Sequence, residues 1–329
     1  MAKIYGDEDA NLDVLSDKTI AIIGYGNQGK AQAKNLRDSE CKVIIGVRVG
    51  GSSWKKAKED GFDVYEISEA AKKADIIHLL IPDEVQSQVY NEEIAPQMSE
   101  EKTLSFSHAF NIHYKEIVPP RDSDVIMIAP KAPGPTVRKT YKEDYGVPGL
   151  VAANQDSSGE ALDKALAMAK GMGLTRAGVM ETSFEEEVET DLFGEQSVLV
   201  GGVSELIKAG FETLVDEGYQ PEVAYFECLN ELKLIVDLIH EGGIEGMMRS
   251  VSNTAEYGGR TRGQEVIDDH VKAKMKDILE DIQDDSFARE WIAENEKGAP
   301  KLEKMREEGK EHLIKEIGEE IRDWAQRDK

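Results

Sequence analysis

Cysteine is nearly missing from this chain of 329 residues: Cys41 and Cys228 are the only two, and they lie far apart in sequence. That argues against a structural disulfide and leaves two buried thiols in a reducing cytoplasm as the expectation. Basic residues are also in deficit. Against 65 acidic side chains stand 40 lysines and arginines, a net charge of −25, which argues against nucleic acid or an anionic membrane as a partner. Long apolar runs are missing as well. The opening MAKIYGDEDANLDVL has no apolar signal core, and no stretch approaches membrane-spanning length, so no membrane partner is expected and the location is cytoplasmic. Five of the six histidines (His78, His113, His240, His270 and His312) show no metal-ligand spacing with one another or with the cysteines, and read as ordinary side chains.

What is present divides in two. Residues 19–180 alternate short apolar strands with helical segments, the pattern of an α/β domain with a doubly wound, mainly parallel sheet covered on both faces. Strands are predicted at 19–24, 41–47, 75–81, 103–109, 124–130, 149–154 and 174–180, and helices at 27–38, 53–60, 68–73, 83–93 and 158–171. Ser157 or Ser158 would cap the last helix, and Gly171 and Gly173 would end it. From 184 onward the period is helical throughout, with long segments near 184–216, 221–240, 244–257 and 263–282; Pro221 suits a start and Gly242-Gly243 a stop. The tail, 300–328, alternates charge at helical spacing around Leu302, Met305, Leu313, Ile317 and Ile321. The division expected is 1–182 for a dinucleotide-binding domain and 183–329 for an all-α domain. The charge is divided unevenly too: residues 183–329 hold 37 acidic and 18 basic side chains, a net of −19, leaving −6 for the rest. The first half tolerates a phosphate ligand and the second can hold cations.

Four carboxylates in the second half stand out. Asp191 with Glu195, and Glu227 with Glu231, are spaced i, i+4, so each pair leaves one face of a helix. Such like-charge pairs are mildly destabilising on a solvated face. Phe184, Val188, Val198 and Gly202 share the first stripe, and Ala224, Leu234 and Leu238 the second, so both pairs are expected to be carried inward. A divalent cation would neutralise them there, and all-oxygen ligands favour magnesium or manganese.

In the first half, Gly24-Tyr25-Gly26-Asn27-Gln28-Gly29 matches G-x-G-x-x-G between a predicted strand and a predicted helix. In that context the first glycine makes the turn, the second admits a pyrophosphate and the third packs helix on strand. The phosphates would meet the helix N-terminus. A plain strand-to-helix turn would use similar glycines. The second strand ends in Arg48, with Ser52 and Ser53 after it, where an NAD site usually offers an acid. A guanidinium with two hydroxyls suits a 2′-phosphate, hence NADP(H). His108 closes the fourth strand and Lys131 the fifth, both at carboxyl ends where ligands of open parallel sheets bind. Gly134, in the proline-stiffened loop after Lys131, is counted with the cofactor-binding residues.

The runs GYGNQG, GVRVGGSSWKKA, SFSHAFNIHY, APKAPGPTVR, ETDLFGEQSVLVGG, ECLNELKLIVDLIHEGG and SVSNTAEYG, in this order over nearly the whole chain, together resemble the short-form (class I) ketol-acid reductoisomerases. The resemblance implies an NADP-linked Rossmann domain and a knotted helical domain that dimerises. It implies two Mg2+ ions, held by Asp191 and Glu195 of one subunit and Glu227 and Glu231 of the other. Ser252 matches a substrate-contacting serine, and His108 and Lys131 match polar residues between metal and nicotinamide. Gly51 stands where a serine often joins the phosphate-binding set, with Ser52 able to supply a hydroxyl instead. The implied reaction converts 2-acetolactate to 2,3-dihydroxyisovalerate, and 2-aceto-2-hydroxybutyrate to its homologue, by a magnesium-dependent alkyl shift and an NADPH reduction. Glu231, with Lys131, is the candidate for proton transfer. A metal-free 3-hydroxyacid dehydrogenase with a catalytic lysine, or an NADP-sensing scaffold, would leave the four acids without a purpose.

Overall fold

The computed structural model describes residues 2–326. Contacts divide it into two compact units, Met1–Thr190 and Asp191–Lys329. Among the described residues of the first, nine strands form one sheet: β1 (Ile4–Tyr5), β2 (Thr19–Ile23), β3 (Lys42–Gly46), β4 (Asp63–Tyr65), β5 (Ile76–Leu79), β6 (Thr103–Phe106), β7 (Asp124–Pro130), β8 (Gly149–Gln155) and β9 (Val179–Glu181). Their spatial order is β1-β9-β8-β7-β6-β5-β2-β3-β4. The six strands from β7 to β4 in that order are parallel throughout, whereas β8 runs antiparallel to β7 and β1 antiparallel to β9. Strands β2, β5 and β6 are buried along their whole length, which is why they read as continuous apolar runs. Each buried isoleucine there contributes roughly 1.5–3 kcal/mol relative to exposure.

The helices of this unit are α1 (Asn27–Asp38), α2 (Ser52–Glu59), α3 (Ile67–Lys73), α4 (Asp83–Val89), α5 (Phe110–His113), α6 (Gly134–Lys142) and α7 (Ala161–Gly171). Two predicted features shift. The segment 174–178 is a turn, with φ +100° at Gly178, and only Val179–Glu181 pairs with β8. Helix α7 begins after Glu160 instead of Ser157 or Ser158. Both serines are engaged elsewhere: their backbone N–H groups donate to Asp124, and Asp156 accepts from the N–H of Ala161. The short strands β1 and β4 and helix α5 carry too few residues to show a period, and α6 begins within the proline-rich run that reads as a stiff loop.

Helix α8 (Phe184–Gly194) runs through the division between the units. Its first turns are held down by buried Phe184, Glu187 and Val188, so the unit boundary falls several residues after the change in composition at 182. The second unit continues with α9 (Gly201–Asp216), α10 (Pro221–Tyr225), α11 (Leu232–Ser250), α12 (Asn253–Val266), α13 (Asp269–Gln283), α14 (Ser286–Glu296), α15 (Pro300–Glu311) and α16 (Leu313–Gln326). Two π-turns, Glu195–Leu199 and Phe226–Asn230, interrupt the long predicted helices. At Gly243 the backbone takes φ +68° and kinks α11, so the predicted stop is a bend. The tail docks through Ile317 and Ile321, which pack with Phe211, Ala224 and Tyr225 in a small core.

Candidate active site

The chain runs from β2 outward to β3 and β4, then returns to β5 and proceeds the other way through β6 and β7. At that switch point the loops after adjacent strands part, leaving a crevice beyond their carboxyl ends. A cleft of about 930 Å³ lies there, lined by Gly24, Tyr25, Gly26 and Gln28 from the turn after β2, by Arg48, Ser52 and Ser53 after β3, and by Ser107 and His108 after β6. Between β3 and β6 lie three strand spacings, about 14 Å, a span suited to an extended dinucleotide.

The glycine turn is built as its spacing suggests. Gly24 has φ +103°, and a Cβ there would lie 2.7 Å from the carbonyl oxygen of Leu80. A Cβ on Gly29 would fall 2.3 Å from the carbonyl oxygen of Gly24, so α1 could not sit this close to β2 with any other residue. At Gly26 a Cβ would meet nothing within 4 Å: the backbone there is open to a ligand. Arg48 is exposed, and Ser52 and Ser53 open α2, whose first N–H groups add to the anion-attracting character of this end. Gly134 plays a different part. It starts α6 buried against the backbone of Asn27, where a Cβ would come within 2.1 Å of that residue's carbonyl oxygen.

His108 and Lys131 converge on a residue that spacing did not single out. Glu187, 1% exposed, lies 3.2 Å from His108 Nδ1 and 3.4 Å from Lys131 Nζ, and accepts the backbone N–H of Ala109 at 3.1 Å. Burial pushes its carboxyl up, but His108, Lys131 and the Ala109 N–H outweigh burial and hold it below the ordinary carboxylate value. Asp191 follows one turn later on α8, and one ligand atom each of His108, Glu187 and Asp191 lie within 4.8 Å of one another. The other predicted ligands belong to the helical unit. Glu195 opens the first π-turn and is exposed, Glu227 lies in the second π-turn and Glu231 caps it, both exposed. The inward course predicted for the acidic stripes therefore holds in part: Phe184 and Val188 on the first and Ala224 on the second are buried, whereas Val198 and Leu234 are exposed within a single chain. Ser252 is the exposed N-cap of α12, accepting from the N–H of Ala255 at 3.2 Å.

The donor chemistry of the four acids suits a hard divalent cation, since they offer carboxylate oxygens only. The cleft likewise suits a nicotinamide dinucleotide phosphate. Residues 14–178 match the acetohydroxy acid isomeroreductase NADPH-binding domain, and residues 184–327 the ketol-acid reductoisomerase C-terminal domain. The chain belongs to the ketol-acid reductoisomerase family. It is 61% identical to the ketol-acid reductoisomerase (NADP(+)) of Methanopyrus kandleri and 59% identical to that of Methanocaldococcus jannaschii, each alignment covering 98% of both chains. A solved NADH-preferring ketol-acid reductoisomerase from an uncultured archaeon superposes with a TM-score of 0.94 at 53% identity, over 98% of each chain.

Within this ketol-acid reductoisomerase family chain, strand ends mark His108 and Lys131 in the sequence, but the carboxylate that joins them has no such mark. The signal was there: Glu187 is four residues before Asp191 and shares its stripe. It was hidden in the run Glu185-Glu186-Glu187, which reads as the acidic first turn of a helix.

Proposed function

We propose that this chain catalyses the ketol-acid reductoisomerase reaction: 2-acetolactate to 2,3-dihydroxyisovalerate, and 2-aceto-2-hydroxybutyrate to 2,3-dihydroxy-3-methylvalerate, in branched-chain amino-acid biosynthesis. The observation that carries the reading is the meeting of His108, Lys131, Glu187 and Asp191 beside a cleft whose far end presents Arg48, Ser52 and Ser53. Dehydrogenation alone does not call for the two further acidic turns that follow.

Asp191, Glu195, Glu227 and Glu231 would hold two Mg2+, the latter pair coming from a second copy of the chain. Magnesium at those carboxylates would polarise the keto oxygen and acidify the neighbouring hydroxyl, and NADPH would supply the hydride. The chain's own groups do the rest. Glu187 fixes the plane of His108 through Nδ1 and holds the Lys131 ammonium toward the same point, so both stand at a set distance from the substrate oxygens. Lys131 would offer a proton donor at Nζ, Glu231 would exchange the proton of the substrate's hydroxyl, and Ser252 would contact the substrate. Gly24–Gly29 and the start of α1 seat the pyrophosphate, and Arg48 with Ser52 and Ser53 seats the 2′-phosphate. We assign residues 1–182 to the cofactor domain and 183–329 to the metal-binding and dimerisation domain.

A homodimer is supported by what a single chain leaves uncovered. Leu199, Val200, Leu234, Ile244 and Tyr257 of the helical unit are between 59% and 73% exposed, apolar side chains that a second copy would cover. No helix is long and apolar enough to cross a membrane among the described residues, and both cysteines are free, which supports a cytoplasmic location. The test is NADPH consumption on 2-acetolactate with and without magnesium. Turnover that persists after chelation would overturn the metal part of the proposal, and no turnover under any condition would overturn the reaction.

A further inference from the structure

His78, which spacing left without a role, is fully buried in the middle of β5, and its ring joins a polar chain that surfaces in the cleft. The chain can be ordered from one end. The backbone carbonyl of Ala132, beside Lys131, can only accept, so the Gln28 group 2.9 Å from it is the amide nitrogen. Gln28 Oε1 is then an acceptor, and the Gln32 atom 3.0 Å away is a donor, Nε2. Gln32 Oε1 therefore faces His78 Nε2 at 2.8 Å, which must carry the ring proton. His78 Nδ1 is left to accept the Ser105 hydroxyl at 2.7 Å. A neutral ring is required, and burial pushes His78 down to about 3. Gln32, His78 and Ser105 are all completely buried, so no water competes for these bonds.

One donor remains. The second N–H of Gln32 lies 3.1 Å from Ser107 Oγ and takes up an acceptor position of that hydroxyl. Ser107 Oγ also lies 3.4 Å from His78 Nε2 and 3.5 Å from Gln32 Oε1. The first contact is with a nitrogen that already carries a proton. The second is a long contact to an oxygen that His78 already occupies. Ser107 thus receives a hydrogen bond from beneath and keeps its own proton for the cleft, whose wall it forms next to His108. An isolated serine would rotate freely between donor and acceptor.

We infer that Ser107 is a specificity-determining donor for the nicotinamide carboxamide oxygen, and that Ser105, His78, Gln32 and Gln28 are positioning residues that hold it in the donor state. The inference rests on the reading of the cleft as a nicotinamide dinucleotide site. It concerns the ring end of the cofactor, away from the phosphate end at Arg48.

Calorimetric titration with three probes tests it: NADPH, its thionicotinamide analogue, and 2′-phospho-ADP-ribose, which lacks the ring. Sulfur is a weaker acceptor than oxygen, so the wild-type protein should bind NADPH roughly two- to tenfold more tightly than the thioamide, the range of one neutral hydrogen bond. Ser107→Ala, which removes only a half-buried hydroxyl, should weaken NADPH by that factor, erase the oxygen-over-sulfur preference and leave 2′-phospho-ADP-ribose unchanged. His78→Leu and Gln32→Leu cut the chain at different links. Whichever keeps a wild-type melting temperature should lose the preference although Ser107 is still present, a result that loss of packing alone would not produce. Retained preference in Ser107→Ala overturns the donor role, and retained preference in both folded chain variants overturns the positioning role. Failure of wild-type protein to bind any of the three probes would instead overturn the cofactor site itself.

Discussion

At the scale of single residues, the roles proposed above put cofactor choice at one end of the cleft and chemistry at the other. Arg48 and Ser53 stand where a 2′-phosphate would be held, and one charge-assisted contact is worth about 1.5–3 kcal/mol. The double substitution Arg48→Asp with Ser53→Asp should therefore weaken NADPH roughly ten- to a hundredfold while affecting NADH far less; steady-state kinetics with both cofactors checks this, and equal loss would sink the assignment. The solved relative is described as NADH-preferring, so the comparison is informative in this family. Asp191→Asn should abolish turnover of 2-acetolactate, because the alkyl shift needs both its carbonyl polarised and its hydroxyl deprotonated. It should leave measurable reduction of 3-hydroxy-3-methyl-2-oxobutanoate, which needs one polarised carbonyl only. Wild-type rates on acetolactate in that variant would disprove the ligand role. Glu187→Gln keeps the shape but removes the charge between His108 and Lys131, and we expect about 1–3 kcal/mol of lost stability with a larger loss in kcat than in KM. A thermal melt and a full kinetic profile together check it.

At the scale of elements, the position of α2 against α1 decides where Arg48 and the serines come to rest. Asp60, which caps the end of α2, accepts from Lys34 at 2.6 Å and Tyr25 at 2.9 Å and pairs with Lys30 at 3.1 Å, all from the glycine turn and α1. Burial raises the Asp60 carboxyl, but the bonds from Lys34, Lys30 and Tyr25 prevail and bring it down to about 2. A carboxyl depressed in the folded state stabilises above its unfolded value near 3.9 and loses that contribution as pH falls toward its folded value. The wild-type protein should therefore be about 2 kcal/mol more stable than Asp60→Asn at pH 6, with the gap closing between pH 4 and 2. Denaturant melts of both proteins across that range decide it; a gap independent of pH would show that Asp60 acts by packing and not by charge.

At the scale of the whole molecule, the proposed dimer would give the exposed acids and the exposed apolar residues of the helical unit one explanation in common. If each site takes Asp191 and Glu195 from one chain and Glu227 and Glu231 from the other, Asp191→Ala and Glu227→Ala should each be inactive as homodimers. A mixed dimer purified through two different tags would contain one doubly damaged site and one intact site, and should recover about half of the activity. If all four acids came from one chain, every site would keep a lesion and the mixed dimer would be dead.

Much of this protein is determined locally and is therefore legible in its sequence. The G-x-G-x-x-G turn carries its spacing within six residues, α1 depends on its own helical period, and the buried strands announce themselves as apolar runs because parallel sheets are covered on both faces. The same holds for Arg48, His108 and Lys131, which inherit their places from strand ends. The family motifs made the reaction readable without coordinates. Tertiary structure alone decided the rest. Glu187 meets His108 and Lys131 across 79 and 56 residues of chain, and no periodicity links positions so far apart. The π-turns at Glu195 and Glu227 break runs that read as plain α-helix, since the i+5 bond leaves no mark on the hydrophobic pattern. His78 and Gln32 look unremarkable as letters. Only their burial, side by side with Ser105 and under Ser107, sets the direction of every proton between Ala132 and the cleft.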